Sequence, residues 1–176
     1  MTVMPARGNL LLKTDSYKLA HWAMYPDGTD GVYSYFESRP GAAYPYTVFF
    51  GLQHMLREHL AGTVFTAADV DAAEALAGSH FAVPGTFNAG GWRELLARHA
   101  GRIPLRVRAV PEGSVVPAGN VLMTVESTDR DFPWLTNYFE SLKTFVIYQS
   151  VDQHKPVILK VGNTAFEMEN ARHAPD

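Results

Sequence analysis

Hydrophobic spacing divides the chain into helical stretches before about residue 100 and a strand-rich stretch after it. Tyr17, Ala20, His21 and Met24 recur at i, i+3, i+4 and i+7. They form one face of a helix that Thr14 or Asp15 can cap and that Pro26-Asp27-Gly28 ends as a turn. Val32 to Glu37 is β-rich and aromatic and reads as a strand. Pro40, Gly41 and Pro45 mark a loop, and a helix is predicted from about Thr47 to Ala61. Phe49, Leu52, Gln53, Leu56 and Leu60 lie in register along it, with Gly62 as the stop. Thr66-Ala67-Ala68-Asp69 has the form of a capping box, opening an alanine-rich helix through roughly Gly78. Asn88 can cap a short helix from Ala89 to His99, with Trp92, Leu95, Leu96 and His99 on one side and Gly101 behind it.

The period then changes. Leu105 to Val110 alternates apolar and polar, as a half-buried strand does. Turns at Pro111-Glu112-Gly113 and Pro117-Ala118-Gly119-Asn120 bracket Val115-Val116, and Val121 to Glu126 is a further strand. Together these predict a small antiparallel sheet. A broadly apolar helix follows from about Pro133 to Gln149, with Leu135, Tyr138, Phe139, Leu142, Phe145 and Val146 to be buried against something. Val157 to Val161 can form one more strand, ahead of a polar ending. The fold class that results is α+β, helices packed with a small, mostly antiparallel sheet.

Composition narrows the function classes. With 47% hydrophobic and 12% aromatic residues among 176, the chain can bury a core and is not a disordered sequence. Fifteen Lys+Arg against 18 Asp+Glu give a net charge of −3, without the basic stripe of a nucleic-acid binder. The absence of cysteine excludes disulfides, thiolate metal sites and a cysteine nucleophile. No apolar run reaches the length of a membrane span and the start lacks a signal-peptide core, so a cytoplasmic protein is expected.

Unaided, the residues carry little chemistry. His54 and His59 are five apart, on different sides of a helix, where a metal pair would want three or four. Tyr17 and His21 after Asp15 form a polar-aromatic patch at a helix start. It suits an anion or a stacked ring, though on spacing alone it is more simply a cap beside a partly buried tyrosine. Arg39, after a strand and before a Pro-Gly loop, can clamp a phosphate or simply face solvent. Arg106 and Arg108 share one strand face and are most simply solvent-facing.

Longer motifs add a family. L-L-K-T-D-S-Y-K-L-A-H-W-A-M-Y-P-D-G-T-D-G-V-Y-S-Y-F-E-S-R (Leu11 to Arg39) resembles the N-terminal opening of the nicotinamide phosphoribosyltransferases. The resemblance continues through T-V-F-F-G-L-Q-H-M-L (Thr47 to Leu56), G-W-R-E-L-L (Gly91 to Leu96) and I-P-L-R-V-R-A-V-P-E-G-S-V-V-P-A-G-N-V-L-M-T-V-E-S-T-D (Ile103 to Asp129). It closes with W-L-T-N-Y-F-E-S-L (Trp134 to Leu142). T-D-x-Y alone would suit nicotinate phosphoribosyltransferases as well.

The resemblance implies the N-terminal domain of an enzyme that joins nicotinamide and phosphoribosyl pyrophosphate into nicotinamide mononucleotide and pyrophosphate, a step of NAD biosynthesis. In that family the site lies at a dimer interface, completed by the N-terminal segment of the other subunit. Carried over by motif, Tyr17 would stack on nicotinamide in the partner subunit's site, Asp15 would lie beside it, and Arg39 would reach the phosphates. Both substrates are thus expected to be met through a partner subunit, in a homodimer or by docking on a full-length homologue, without nucleic acid or membrane. No cofactor is expected on this chain alone, and Mg2+ is implied with phosphoribosyl pyrophosphate.

Family members continue into a barrel-like catalytic half, and its catalytic histidine, aspartates and phosphate loops have no candidate here. Beyond Leu142 the family's W-Y-P-x-T-V-A-T-x-S-R is expected, whereas the chain reads K-T-F-V-I-Y-Q-S-V-D-Q-H-K-P-V. The expected organisation is therefore a disordered N-terminus (1–8), the family-like domain (9–149), and a divergent tail (150–176) from truncation or a frameshift. No catalytic or metal-binding residue is assigned. The chain is read as an N-terminal fragment inactive alone, with two alternatives: a split-enzyme subunit completing a partner's site, or a non-catalytic interaction module.

Overall fold

The computed structural model describes residues 8–40, 45–139, 147–150, 157–161 and 164–168. The fold is α+β, with short helices set against small antiparallel sheets. The first sheet has the order β1-β5-β3, formed by Tyr33–Glu37, Val121–Ser127 and Leu105–Ala109. The second has the order β4-β2-β6, formed by Val115–Pro117, Tyr46–Phe50 and Ile147–Ser150. β7 (Val157–Val161) and β8 (Thr164–Met168) pair as a separate ribbon.

Two predicted helices hold closely. α2 spans Ala67–His80 behind a complete capping box at Thr66 and Asp69, and α3 spans Ala89–His99 with the Asn88 side chain accepting from the Gly91 N–H. Four expectations are corrected. The stretch from Thr14 to Met24 is two 3-10 turns, Ser16–Leu19 and His21–Met24, because hydrogen bonds joining Leu11 and Thr14 to Tyr138, more than 120 residues away, hold this segment by tertiary contacts that override its helical spacing. The helix expected from Thr47 begins instead at α1 (Leu52–Met55) and widens into a π-helical turn at Leu56–Leu60. Thr47 to Phe50, rich in β-branched and aromatic residues, pairs on both edges as β2, and Gly51 at φ 96° makes the break.

The third correction is that Val115–Pro117 leaves its neighbours in sequence to join β2, so the strands after residue 104 serve two sheets rather than one. The fourth concerns the stretch from Pro133 to Gln149. α4 covers only Leu135–Tyr138, and Ile147–Ser150 is a strand on β2, with Tyr148 opposite Phe49. Residues 1–7 of the expected disordered start, 41–44 of the loop, 140–146 of that helix and most of the tail lie outside the described residues.

The core is built around Trp92. Its ring meets Phe65, Trp134 and Tyr138 edge-on at 5.3, 4.9 and 4.9 Å between centroids, and Phe87 stacks near-parallel at 6.5 Å. Edge-to-face pairs of this kind add about 0.5–1.5 kcal/mol each beyond area burial. Trp92 on α3 is the hub of this cluster, and α4, which contributes Tyr138 to it, also holds the chain segments that carry the candidate site.

Candidate functional site

α4 fixes two distant segments through its own polar groups. The Tyr138 hydroxyl donates to the Leu11 carbonyl at 2.6 Å, and the Thr14 hydroxyl donates to the Tyr138 carbonyl at 2.9 Å. These bonds tie down the 3-10 turn that follows, Ser16–Leu19. The Thr136 hydroxyl, fully buried, donates to the Val32 carbonyl at 3.2 Å and accepts the Ser127 N–H at 3.0 Å. That anchors the start of β1, whose far end leads to Arg39. Burial holds the Tyr138 phenol protonated far above its ordinary range.

Asp15 and Tyr17 are brought together. The Tyr17 hydroxyl donates to Asp15 Oδ2 at 3.3 Å, and the Tyr17 ring remains 57% exposed. The His21 ring lies 5.1 Å away, tilted by 53°. The two ends of the expected Tyr17–Met24 face point outward, with Met24 72% exposed, while Ala20 and His21 are half-buried. Arg39 is not joined to either residue by a hydrogen bond, ion pair or ring contact, and it stands exposed. The residue before it, Ser38, is buried, and its carbonyl accepts the Gly119 N–H at 2.8 Å, which anchors the backbone there. The arrangement offers an exposed aromatic face beside a carboxylate and, separately, a guanidinium on an anchored strand end.

One residue of this turn had no place in the sequence reading. Lys18 is only 6% exposed, and its Nζ lies 3.7 Å from Asp15 Oδ2 and 5.9 Å from the centre of the Tyr17 ring. The i,i+3 spacing of Asp15 and Lys18 was the available signal, but the burial of a lysine next to the exposed Tyr17 is a tertiary fact. Arg106 and Arg108 are exposed as expected, and both meet Glu126, at 3.2 and 3.1 Å. His54 pairs with Glu58 at 3.0 Å on an exposed helix face. Among the described residues, no group of three His, Asp or Glu side chains could hold a metal ion, and no helix is long and apolar enough to cross a membrane.

The family profile described as "Nicotinamide phosphoribosyltransferase, N-terminal domain" matches residues 9–107, more than half of the chain. The chain belongs to this family. A nicotinamide phosphoribosyltransferase of Xanthomonas campestris pv. campestris is 51% identical over 140 residues, which are 80% of this chain and 29% of that protein. One of Acinetobacter baylyi is 31% identical over 159 residues, 84% of this chain and 31% of that protein. The chain thus spans about three tenths of the length of these curated relatives. The crystal structure of human nicotinic acid phosphoribosyltransferase matches with a TM-score of 0.52 at 22% identity, covering 76% of this chain and 25% of that one, and shows the shared fold. The matched region contains Asp15, Tyr17 and Arg39.

Proposed function

We propose that this domain supplies one wall of an active site that transfers a phosphoribosyl group to nicotinamide, a step of NAD biosynthesis in the cytoplasm. The single observation that carries the reading is the Tyr17 ring: more than half exposed, yet held by Asp15 on a turn anchored to the core. A planar, weakly polar base is oriented by stacking on such a ring, and orientation aligns its ring nitrogen with the anomeric carbon. As pyrophosphate departs, negative charge grows on its oxygens and positive charge on the sugar. Arg39 suits the first of these, because a guanidinium can hold two phosphate oxygens at once. Mg2+ belongs with phosphoribosyl pyrophosphate, on the substrate's own oxygens, where it would neutralise part of the leaving charge.

Tyr17 and Arg39 are exposed and are not joined to each other, which favours substrates shared with a second subunit, in a dimer or on a longer homologue. The interaction-module alternative needs an exposed apolar face on the segment 133–149. Among the described residues of that segment, Leu135, Tyr138 and Phe139 are buried. The split-enzyme alternative is the same chemistry with the remaining elements on another polypeptide.

The test combines this chain with a separately produced polypeptide carrying the rest of the Xanthomonas relative, with nicotinamide and phosphoribosyl pyrophosphate supplied. Nicotinamide mononucleotide should form in the mixture and not with this chain alone. Tyr17→Ala should lower the rate by roughly fivefold or more, as loss of a stacking face of about 1–3 kcal/mol implies. A mixture whose rate is indifferent to Tyr17→Ala and to Arg39→Ala would refute the reading.

A further inference from the structure

We propose that Lys18 is a positioning residue, whose buried ammonium fixes the Asp15 carboxylate and, through it, the attitude of the Tyr17 ring. The inference rests on the reading of Tyr17 as a stacking face. Lysine is rarely buried unless its charge is paired, and this side chain is 6% exposed while the neighbouring Tyr17 is 57% exposed. Its Nζ lies 3.7 Å from Asp15 Oδ2, the same oxygen that accepts the Tyr17 hydroxyl at 3.3 Å. One carboxylate oxygen therefore stands between a fixed cation below and a phenol above.

The use made of Asp15 supports this assignment. Asp15 occupies the N-cap position of the Ser16–Leu19 turn, where an aspartate ordinarily accepts a backbone N–H of the first turn. It makes no such capping bond here. Its carboxylate is turned instead toward Lys18 and Tyr17. With Asp15 52% exposed, the ion pair itself contributes little to stability. The ammonium also lies 5.9 Å from the Tyr17 ring centre, and the His21 ring stands 5.1 Å from it. A surface tyrosine would otherwise sample several rotamers, and each one lost only on binding weakens the complex.

The experiment labels the tyrosine rings with carbon-13 in the whole chain and assigns the Tyr17 signal with Tyr17→Phe. In Lys18→Met the Tyr17 signal should move toward that of free tyrosine, the other seven tyrosines should stay, and Lys18→Arg should restore it. With the companion polypeptide present, nicotinamide binding should weaken roughly two- to tenfold in Lys18→Met, the factor for freeing one restrained side chain. If Lys18→Met fails to fold, all tyrosine signals collapse together, and Asp15→Asn decides, since that exposed change leaves the core intact. Movement of Tyr17 alone in Asp15→Asn supports the proposal. A Tyr17 signal unchanged in Asp15→Asn or in folded Lys18→Met overturns it. If nicotinamide perturbs no tyrosine ring of the unaltered chain, the stacking reading fails, while the ligand-free Tyr17 signal still judges the role of Lys18.

Discussion

Replacing Tyr138 by Phe removes one hydroxyl from the point where α4 grips the N-terminal segment. The ring is 4% exposed, its hydroxyl donates to the carbonyl of Leu11 at 2.6 Å, and Leu11 is itself completely buried. Phe keeps the edge-on contact with Trp92, so packing changes little. What changes is the Leu11 carbonyl, left in the core without its donor. An orphaned buried acceptor costs about 1–3 kcal/mol, and the easier burial of Phe offsets part of it. A net loss of about 1–2 kcal/mol follows, equivalent to about 2–8 °C in Tm at this chain length.

The same hydroxyl carries a pH signature. Burial raises the folded-state pKa of Tyr138 well above its ordinary 10.0, whereas the phenol of the unfolded chain titrates near that value. A group raised in this way contributes stability that is complete below the unfolded pKa and is lost as pH climbs beyond it. By one pH unit above 10.0, the wild type should have lost about 1.4 kcal/mol through this group, and the Phe variant none. Urea unfolding followed by tryptophan fluorescence at pH 8 and pH 11 measures both quantities. The reasoning fails if the variant lies within about 0.5 kcal/mol of wild type at pH 8, or if the gap does not narrow by pH 11.

Thr136→Val should destabilise by about 2–4 kcal/mol in urea, because it strands both the Ser127 N–H and the Val32 carbonyl in a fully buried place, while Thr136→Ser should recover most of the loss. The Asp129 carboxyl is held below its ordinary pKa by the hydrogen bond from His99 and then by the Asp131 N–H, so its stabilisation is present above about pH 4 and lost as pH falls further. An acid titration of stability from pH 5 to 2 should accordingly be flatter in Asp129→Asn. Gly101→Ala should cost at least about 2 kcal/mol by thermal unfolding, since the residue sits at φ +77° and an added Cβ would lie 2.4 Å from the Phe65 carbonyl oxygen. Gly78→Ala, in the last turns of α2 with open space around it, should instead gain about 0.5–1 kcal/mol.

Local signals decided what local energies decide. The capping box at Thr66-Asp69 and the Asn88 cap satisfy backbone donors within three residues, so α2 and α3 could be placed from the sequence. The alternation of Leu105 to Ala109 marked β3 because each residue faces one fixed side of a sheet. The family motifs likewise named Asp15, Tyr17 and Arg39 from the chain alone, and the matched span 9–107 contains all three.

Tertiary structure decided what depends on partners far along the chain. Thr47 to Phe50 and Ile147 to Ser150 satisfy helical spacing, but each is a strand because the other lies beside it, about 100 residues away. The segment from Asp15 to Met24 has helical periodicity, yet 3-10 turns prevail there since α4 pins Leu11 and Thr14 just ahead of it. The same contacts sink Lys18 beneath an exposed Tyr17. Sequence spacing records which residues can share a face; burial and long-range hydrogen bonds select which face is used, because only the folded chain supplies the groups that compensate for removing them from water.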